Sequence, residues 1–180
     1  MPPKPRLLLH ICCGPCSTAV GERLGPEYGL LGYWYNPNIQ PEEEHGRRLE
    51  AARRFAAEAG FELVVEPYEP EPWQEAVRGL EDEPEGGRRC EVCYRLRAER
   101  AAAEAARRGA THLATTLTIG PQKKAAVINP IGEAAAAAHG LTFVGEDFKK
   151  RAGLERSIEL SRQHGLFRQD YCGCLHSRRR

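Results

Sequence analysis

Seven cysteines, all within three short stretches, are the residues of this 180-residue sequence best suited to chemistry. The stretches are Cys12-Cys13-Gly-Pro-Cys16, Cys90-Glu-Val-Cys93 and Cys172-Gly-Cys174. No apolar run approaches the roughly 20 residues that a membrane span needs, and the first residues lack the apolar segment of a secretory signal. We therefore expect a soluble, cytoplasmic protein whose thiols stay reduced, so that metal binding or redox chemistry explains seven cysteines better than structural disulfides.

Four of these thiols, those of Cys12, Cys13, Cys90 and Cys93, have the number and type that a metal site requires. Four thiolates can hold a structural zinc ion in a tetrahedron, and the same four can hold a 4Fe–4S cluster, one at each iron corner. A helix is predicted to begin at the second pair, and its N-terminus together with neighbouring arginines favours the metal-binding thiolate there. The residues alone leave zinc, iron–sulfur and no metal open.

The Cys172-Gly-Cys174 pair differs in kind because a disulfide across one residue closes a small, strained ring. Strain raises the reduction potential of such a disulfide, so the pair would stabilise the fold poorly but could carry two electrons. Two further metal ligands or two inert buried thiols are equally open readings. Cys16 remains, and it either binds a second metal or packs at the start of a helix.

The elements that must position these thiols alternate between strands and helices. Short apolar runs bounded by glycine and proline predict strands, and apolar residues at helical spacing predict helices. Strands are predicted over 6–11, 30–35, 61–65, 112–116 and 141–144, and helices over 41–59, 73–80, 93–108, 127–139 and 154–164, with a short helix capped by Ser17 or Thr18. This alternation predicts an α/β fold, a parallel Rossmann-like sheet flanked by helices. A single domain is expected over residues 1–180, with the last cysteines in a C-terminal tail.

The first cysteine cluster directly follows the first predicted strand. In open α/β sheets, ligands bind beyond the carboxyl ends of the strands, where a nucleotide-binding protein carries a glycine-rich phosphate loop. Residues 12–18 hold thiols in that place and offer no such loop. We therefore set aside an ATP-dependent tRNA-thiolating enzyme.

Charge is distributed unevenly, although the formal net charge is only +1. Acidic residues concentrate in 42–44 and 66–85, while basic residues cluster at Arg88-Arg89, Lys123-Lys124, Lys149-Lys150-Arg151 and Arg178-Arg179-Arg180. A polyanion could bind one face of such a protein. Scattered, solvated side chains explain the charges equally well.

Several motifs, in order along nearly the whole chain, resemble those of the cobalamin-independent epoxyqueuosine reductases, the QueH family. They are residues 8–16 (LLHICCGPC), 35–39 (YNPNI), 79–85 (GLEDEPE), 89–93 (RCEVC), 115–118 (TTLT), 148–150 (FKK), 156–160 (RSIEL) and 168–174 (RQDYCGC). The resemblance implies a fold similar to the adenine-nucleotide α-hydrolases. It also implies an oxidoreductase that converts epoxyqueuosine in the wobble position of the tRNA anticodon to queuosine, the last step of queuosine synthesis.

The same resemblance implies the cofactors and the roles of the cysteines. Cys12, Cys13, Cys90 and Cys93 would ligate a 4Fe–4S cluster, and no cobalamin is expected. An additional mononuclear iron beside the cluster is expected for the family, with Cys16 as its candidate ligand. Cys172 and Cys174 would form a redox-active pair, and an external low-potential donor would supply electrons.

Removal of an epoxide oxygen as water also needs protons, and four side chains are candidate acids: Asp147, Tyr171, His10 and His176. Asp147 follows the last predicted strand, where capping a turn is an equal alternative. His10 stands directly before the cysteines, so orienting a ligand is as probable a role as proton transfer. His176 can equally be a solvated tail residue.

Two sets of side chains are candidates for binding tRNA. Phosphate contacts are expected from Lys123, Lys124, Lys149, Lys150 and the terminal arginines. Stacking on an unpaired base is open to Tyr33, Trp34, Tyr35 and Trp73, although core packing is the safer expectation for each. A zinc-stabilised tRNA-binding module without redox activity is the alternative to the enzyme, and the absorption of a cluster near about 400 nm would distinguish them.

Overall fold

The structure of this protein is a computed structural model that describes residues 2–178. Five parallel strands form one sheet in the order β3-β2-β1-β4-β5. The strands are β1 (Arg6–His10), β2 (Gly29–Trp34), β3 (Glu62–Val65), β4 (His112–Thr115) and β5 (Thr142–Phe143). The predicted parallel α/β fold is confirmed, and the strand order changes direction between β1 and β4. In such sheets, that change of direction opens a crevice for ligands at the carboxyl edge.

Six helices connect and cover the strands. They are α1 (Gly14–Leu24), α2 (Glu42–Ala59), α3 (Glu71–Ala76), α4 (Arg88–Arg107), α5 (Ala125–Ala137) and α6 (Gly153–Gln163). Helices α1, α2 and α6 pack together on one face of the sheet, while α4 and α5 cover the other face. None of the helices within residues 2–178 is long and apolar enough to cross a membrane.

The central strand β1 anchors both layers of the core. Leu7 and Leu9 belong to the core under α1, α2 and α6, whereas Leu8 belongs to the core under α4 and α5, and all three are fully buried. Successive side chains of a strand point to opposite faces of the sheet. Because helices cover both faces at this strand, its apolar side chains are buried on either face and its sequence contains a continuous apolar run. This rigid strand ends where the first cysteine loop begins.

The start of α1 differs from the prediction that Ser17 or Thr18 caps it. The helix begins at Gly14, and its N-cap is Cys13, whose sulfur accepts a hydrogen bond from the backbone N–H of Cys16. Ser17 and Thr18 lie inside the helix and donate to carbonyls one turn earlier. Pro15 accounts for the early start because it fits the first turn of a helix, where its missing N–H costs nothing. The first cysteine loop is therefore fused directly to a helix N-terminus.

Candidate active site

A cavity of about 1010 Å³ opens at the carboxyl edge of the sheet, beyond β1 and β4. Cysteines from all three stretches of the sequence line it: Cys12, Cys16, Cys90, Cys93, Cys172 and Cys174. The fold therefore brings together thiols that are up to 160 or so positions apart in the chain. Cys13 is completely buried and does not line the cavity.

The first loop holds its three sulfurs close together. The sulfurs of Cys12, Cys13 and Cys16 lie within 4.8 Å of one another, an arrangement able to hold a metal ion. Cys13 and Cys16 are joined as a disulfide, with their Cα atoms 5.3 Å apart. Thr116 orients Cys12: its hydroxyl accepts from the Cys12 N–H at 3.0 Å and donates to the Cys12 sulfur at 3.1 Å. The end of β4 thus fixes the loop that follows β1.

Both cysteines of the second stretch lie within the first two turns of α4, which begins at Arg88 rather than at the predicted residue 93. The backbone N–H of Gly86 donates to the Cys90 sulfur at 3.2 Å. Burial nevertheless raises the pKa of Cys90, so the expectation that the helix N-terminus and the arginines favour its thiolate is wrong for this residue. Arg89 also lines the cavity, and its guanidinium donates to the carbonyls of Leu80 and Glu81.

The two tail cysteines form an asymmetric pair. Their mutual hydrogen bond is the main reason that the pKa of Cys172 is lowered to about 5 and that of Cys174 is raised. The Lys123 ammonium also lowers the pKa of Cys172, although burial of Cys172 works in the opposite direction. Burial of Cys174 adds to the rise of its pKa. One thiolate and one thiol therefore share a proton at neutral pH, with the thiolate on Cys172.

Specific contacts hold the tail that carries this pair against the domain. Gly173 has a φ of 107°, and a Cβ there would meet Ile39 Cγ1 at 2.9 Å, so only glycine fits. The Gly173 carbonyl accepts from the backbone N–H of Gln40 at 2.9 Å. The buried Arg48 donates to the Tyr171 carbonyl at 2.9 Å and to Glu44 at 2.7 Å. A backbone bond and a buried ion pair thus clamp residues 171–173 beside helix α2.

Lys123 extends into the cavity rather than into solvent. Its ammonium lies 5.6 Å from the centre of the Tyr94 ring and 3.5 Å from a Glu85 carboxylate oxygen. Burial works against its charge, but Tyr94, Cys172 and Glu85 more than compensate and raise the pKa of Lys123. A permanent positive charge therefore lies near Cys90 and Cys172.

Lys124 and Arg178 also line the cavity, and both are exposed at its rim. The Arg178 guanidinium lies 5.2 Å from the centre of the Tyr171 ring. Lys150 is exposed but does not line the cavity. Of the terminal arginines, Arg179 and Arg180 lie outside the described residues.

Asp147 and Lys149 are not part of the cavity wall. They form an ion pair with each other at 3.2 Å, and Lys149 also donates to the carbonyls of Thr118 and Lys123. Lys149 thereby holds the loop that presents Lys123. The structure does not bring Asp147 to the thiols.

The candidate acids His10, Tyr171 and His176 occupy different surroundings. His10 is buried, its ring nitrogens contacting Thr115 Oγ1 and the Tyr35 carbonyl, and burial together with the charge of Arg97 lowers its pKa to about 3. A neutral imidazole in this position supports the cysteine loop and is not a proton donor near pH 7. Tyr171 lines the cavity and its hydroxyl donates to the Gln40 carbonyl, while burial raises its pKa.

Among the aromatic candidates, Tyr33 and Trp34 are fully buried core residues, hydrogen-bonded to Glu66 and His45. Tyr35 is half-buried and does not line the cavity. Trp73 does line it, packed against Cys93 and Cys174, and the exposed His176 stacks on its outer side at 6.1 Å. Only Trp73 of the four offers a ring edge to a ligand in the cavity.

Arg97 and Asn38 are among the polar cavity residues that were not predicted from the sequence, although both lie in recognisable positions. Arg97 stands one helical turn after Cys93 and is 4% exposed. Asn38 belongs to the YNPNI segment and is 3% exposed, and its Oδ1 has no hydrogen-bond partner within residues 2–178. The i, i+4 spacing from a cysteine was the signal for Arg97, because such residues share one face of a helix.

Sequence comparison identifies a family for the chain. The family model described as epoxyqueuosine reductase QueH matches residues 7–180. The epoxyqueuosine reductase QueH of Streptococcus pyogenes is 36% identical over 180 residues, which cover 97% of this chain and 71% of that protein. The protein of that name from Dehalococcoides mccartyi is 39% identical over 176 residues, covering 96% of this chain and 92% of its own.

Two solved structures share the fold at low sequence identity. The U34-tRNA thiolase NcsA from Methanococcus maripaludis, solved with its [4Fe-4S] cluster, is similar with a TM-score of 0.63 and 14% identity. That similarity covers 99% of this chain and 63% of the thiolase. A predicted subunit of tRNA methyltransferase from Methanocaldococcus jannaschii has a TM-score of 0.54 and 15% identity, covering 84% and 76% of the two chains. At these identities the likeness concerns the fold alone.

Proposed function

The chain belongs to the epoxyqueuosine reductase QueH family, and from that premise we propose that it removes the epoxide oxygen of epoxyqueuosine in tRNA to give queuosine. The observation that carries the proposal is the single cavity lined by six cysteines from three separate stretches of sequence. A reductive deoxygenation needs electron carriers and a proton source at one place, and this cavity gathers both.

In this proposal Cys12, Cys13, Cys90 and Cys93 hold a 4Fe–4S cluster, which supplies electrons one at a time when bound. Cys12, Cys90 and Cys93 line the cavity, whereas Cys13 is buried behind it and is joined to Cys16 as a disulfide. A cluster takes one thiolate at each iron corner, so Cys13 would become its fourth ligand only when that disulfide is reduced.

Buried positive charge gives further support for an anionic cofactor. Arg97 reaches the cavity wall without a carboxylate partner among residues 2–178, and a buried cation is stabilised by negative charge beside it, whereas Lys123 is already paired with Glu85. Cys16 lines the cavity next to the proposed cluster and is the candidate ligand of an additional mononuclear iron. Cys13 and Cys16 can bind metal only after the disulfide between them is reduced, and a reducing compartment such as the cytoplasm would keep their thiols available.

Cys172 and Cys174 act in this proposal as a dithiol that carries two electrons. Conversion of an epoxide to an alkene and water consumes two electrons and two protons. Oxidation of the pair to a disulfide, with Cys172 as thiolate and Cys174 as thiol, releases two electrons and one proton, so a separate donor supplies the second proton. The lowered pKa of Cys172 supports its role as the more reactive sulfur. An external low-potential donor then returns the pair to its reduced form.

Tyr171 is the proton donor that we retain, because it carries a hydroxyl and lines the cavity. Asp147 is not retained, since its partner is Lys149 and it lies away from the cavity. The anticodon loop would reach the cavity past Lys124 and Arg178, whose exposed charges suit phosphate contacts. Lys123 faces the reacting groups rather than the tRNA backbone.

The proposed reaction is tested with anaerobically reconstituted protein, epoxyqueuosine-containing tRNA and a low-potential reductant. The expected product is tRNA nucleoside lighter by one oxygen atom, measured by mass spectrometry. Cys172→Ser and Cys174→Ser are each expected to retain iron and sulfide but to lose turnover, whereas Cys90→Ser is expected to lose the metal. Intact epoxyqueuosine after incubation with iron-loaded wild-type protein would refute the proposed reaction.

A further inference from the structure

We propose that Arg97 is the built-in counter-charge of the metal centre, a positioning residue that holds Cys93 and raises the reduction potential of a cluster bound by the neighbouring thiols. The inference rests on the proposed iron–sulfur function. It assigns a role to a residue that the proposed reaction does not itself use.

Arg97 is fixed from three directions. It lies on α4 one turn beyond Cys93, and its Nη1 is 3.8 Å from the Cys93 sulfur. Its Nη2 donates to Asn36 Oδ1 at 2.6 Å, and the Asn36 amide in turn donates to the Ile11 carbonyl at 2.9 Å. The guanidinium is thereby tied to the backbone residue that immediately precedes Cys12. One cation thus connects the first and second cysteine stretches.

Among residues 2–178, the charge of Arg97 has no protein counter-ion. Throughout residues 2–178, no carboxylate lies within 4.0 Å of its guanidinium, in contrast to the equally buried Arg48, which is paired with Glu44 at 2.7 Å. Its Nε has no hydrogen-bond partner in that same part of the chain. A guanidinium that is 4% exposed with no carboxylate beside it is unfavourable, and an anion on the cavity side would compensate its charge.

Thiolates bound to iron provide that anion. A cluster held by four thiolates is negatively charged, and its negative charge increases when it accepts an electron. A fixed cation and an N–H···S hydrogen bond therefore stabilise the reduced state more than the oxidised state, which raises the potential. A tRNA phosphate is the other anion to consider, but Arg97 is too deeply buried and too firmly bonded to Asn36 to serve as a phosphate contact.

The test is a potentiometric titration of the reconstituted cluster, without tRNA, followed by absorbance and electron paramagnetic resonance. In Arg97→Gln we expect the ratio of reduced to oxidised cluster at the wild-type midpoint to fall about tenfold, equal to a shift of about −59 mV for a one-electron couple. Arg97→Lys keeps the charge and should shift the midpoint less. Arg95→Gln, on the same helix but exposed, is the matched control and should leave the potential unchanged.

A second measurement separates this role from simple structural support. In metal-free protein no cluster compensates the Arg97 charge, so Arg97→Gln should unfold at the same denaturant concentration as the wild type or at a higher one. With the cluster bound, Arg97→Gln should unfold at a lower denaturant concentration than the cluster-bound wild type. An unchanged potential in cluster-loaded Arg97→Gln would overturn this inference and leave the proposed function standing. If tRNA binding were weakened at the same time, Arg97 would instead be assigned to phosphate recognition. Wild-type protein that binds no iron would overturn the proposed function and this inference together.

Discussion

The buried ion pair between Arg48 and Glu44 is expected to determine whether the tail cysteines stay in the active site. Arg48 is 2% exposed, and its guanidinium joins the Glu44 carboxylate to the Tyr171 carbonyl. Arg48→Met keeps much of the apolar length of the side chain but removes both bonds. The Glu44 carboxylate, whose side chain is only 9% exposed, then loses its close partner.

Removal of one partner from a buried pair costs about 3–5 kcal/mol, because an uncompensated charge stays behind. Arg47 lies 3.9 Å from Glu44 but is mostly exposed, so it compensates little and the lower value applies. A loss of about 3 kcal/mol corresponds to a factor of about a hundred in an equilibrium constant. We expect the tail to open about a hundredfold more often, which can be measured as the alkylation rate of the buried Cys174 in reduced, metal-free protein.

Two further variants make this experiment decisive. Arg48→Met combined with Glu44→Gln removes the stranded charge as well and should recover part of the loss, as a double-mutant cycle requires. Arg53→Met changes an exposed arginine on the same helix and should label at the wild-type rate. If Cys174 labels equally fast in wild type and in Arg48→Met, the buried pair does not secure the tail and the reasoning is refuted.

Three other predictions concern pH and salt. The pKa of Cys172 is lowered to about 5, chiefly by its hydrogen bond with Cys174, so iodoacetamide should modify Cys172 already at about pH 6 in metal-free protein. Replacement of the partner in Cys174→Ala should move the midpoint of the modification rate against pH upward. An unmoved midpoint would contradict the hydrogen bond between the two sulfurs. Hydrogen bonds from Arg107 lower the pKa of Glu104 from 4.5 to about 2, so its contribution to stability is present above pH 4.5 and is lost as the pH falls toward 2. Urea unfolding of Glu104→Gln should accordingly depend less on pH in that window, and an equal dependence would count against the pairing. Lys124→Ala should reduce the slope of log affinity for tRNA against log salt concentration by about 0.7–0.9, and an unchanged slope would remove it from the interface.

The fold could be predicted from the sequence because its elements are locally encoded. The apolar run from Leu7 to Leu9, bounded by proline and glycine, indicates a buried strand whatever surrounds it. The same holds for α2, whose apolar face and terminal Gly60 define both its course and its end. The start of α1 could not be predicted in the same way, because a cysteine sulfur acts as its cap in place of the hydroxyls that usually do so.

The candidate site could be predicted as a set of cysteines but not as a network. Sequence order indicates that Cys12 follows a strand and that Cys90 and Cys93 share a helix, and parallel topology brings those positions to one edge. The partners that fix them, such as Thr116 at Cys12 and Arg48 at the tail, come from distant parts of the chain. The raised pKa of Cys90 follows from its burial, which depends on packing that the order of residues does not reveal.

The most direct test of the account is a count of electrons in a single turnover. Reconstituted protein is reduced, freed of excess reductant and mixed anaerobically with epoxyqueuosine-tRNA, while cluster absorbance, free thiols at Cys172 and Cys174, and nucleoside mass are followed together. We predict one queuosine for every two electrons lost from the protein. Loss of the epoxide oxygen without oxidation of the cluster or the dithiol, or oxidation without queuosine, would contradict it.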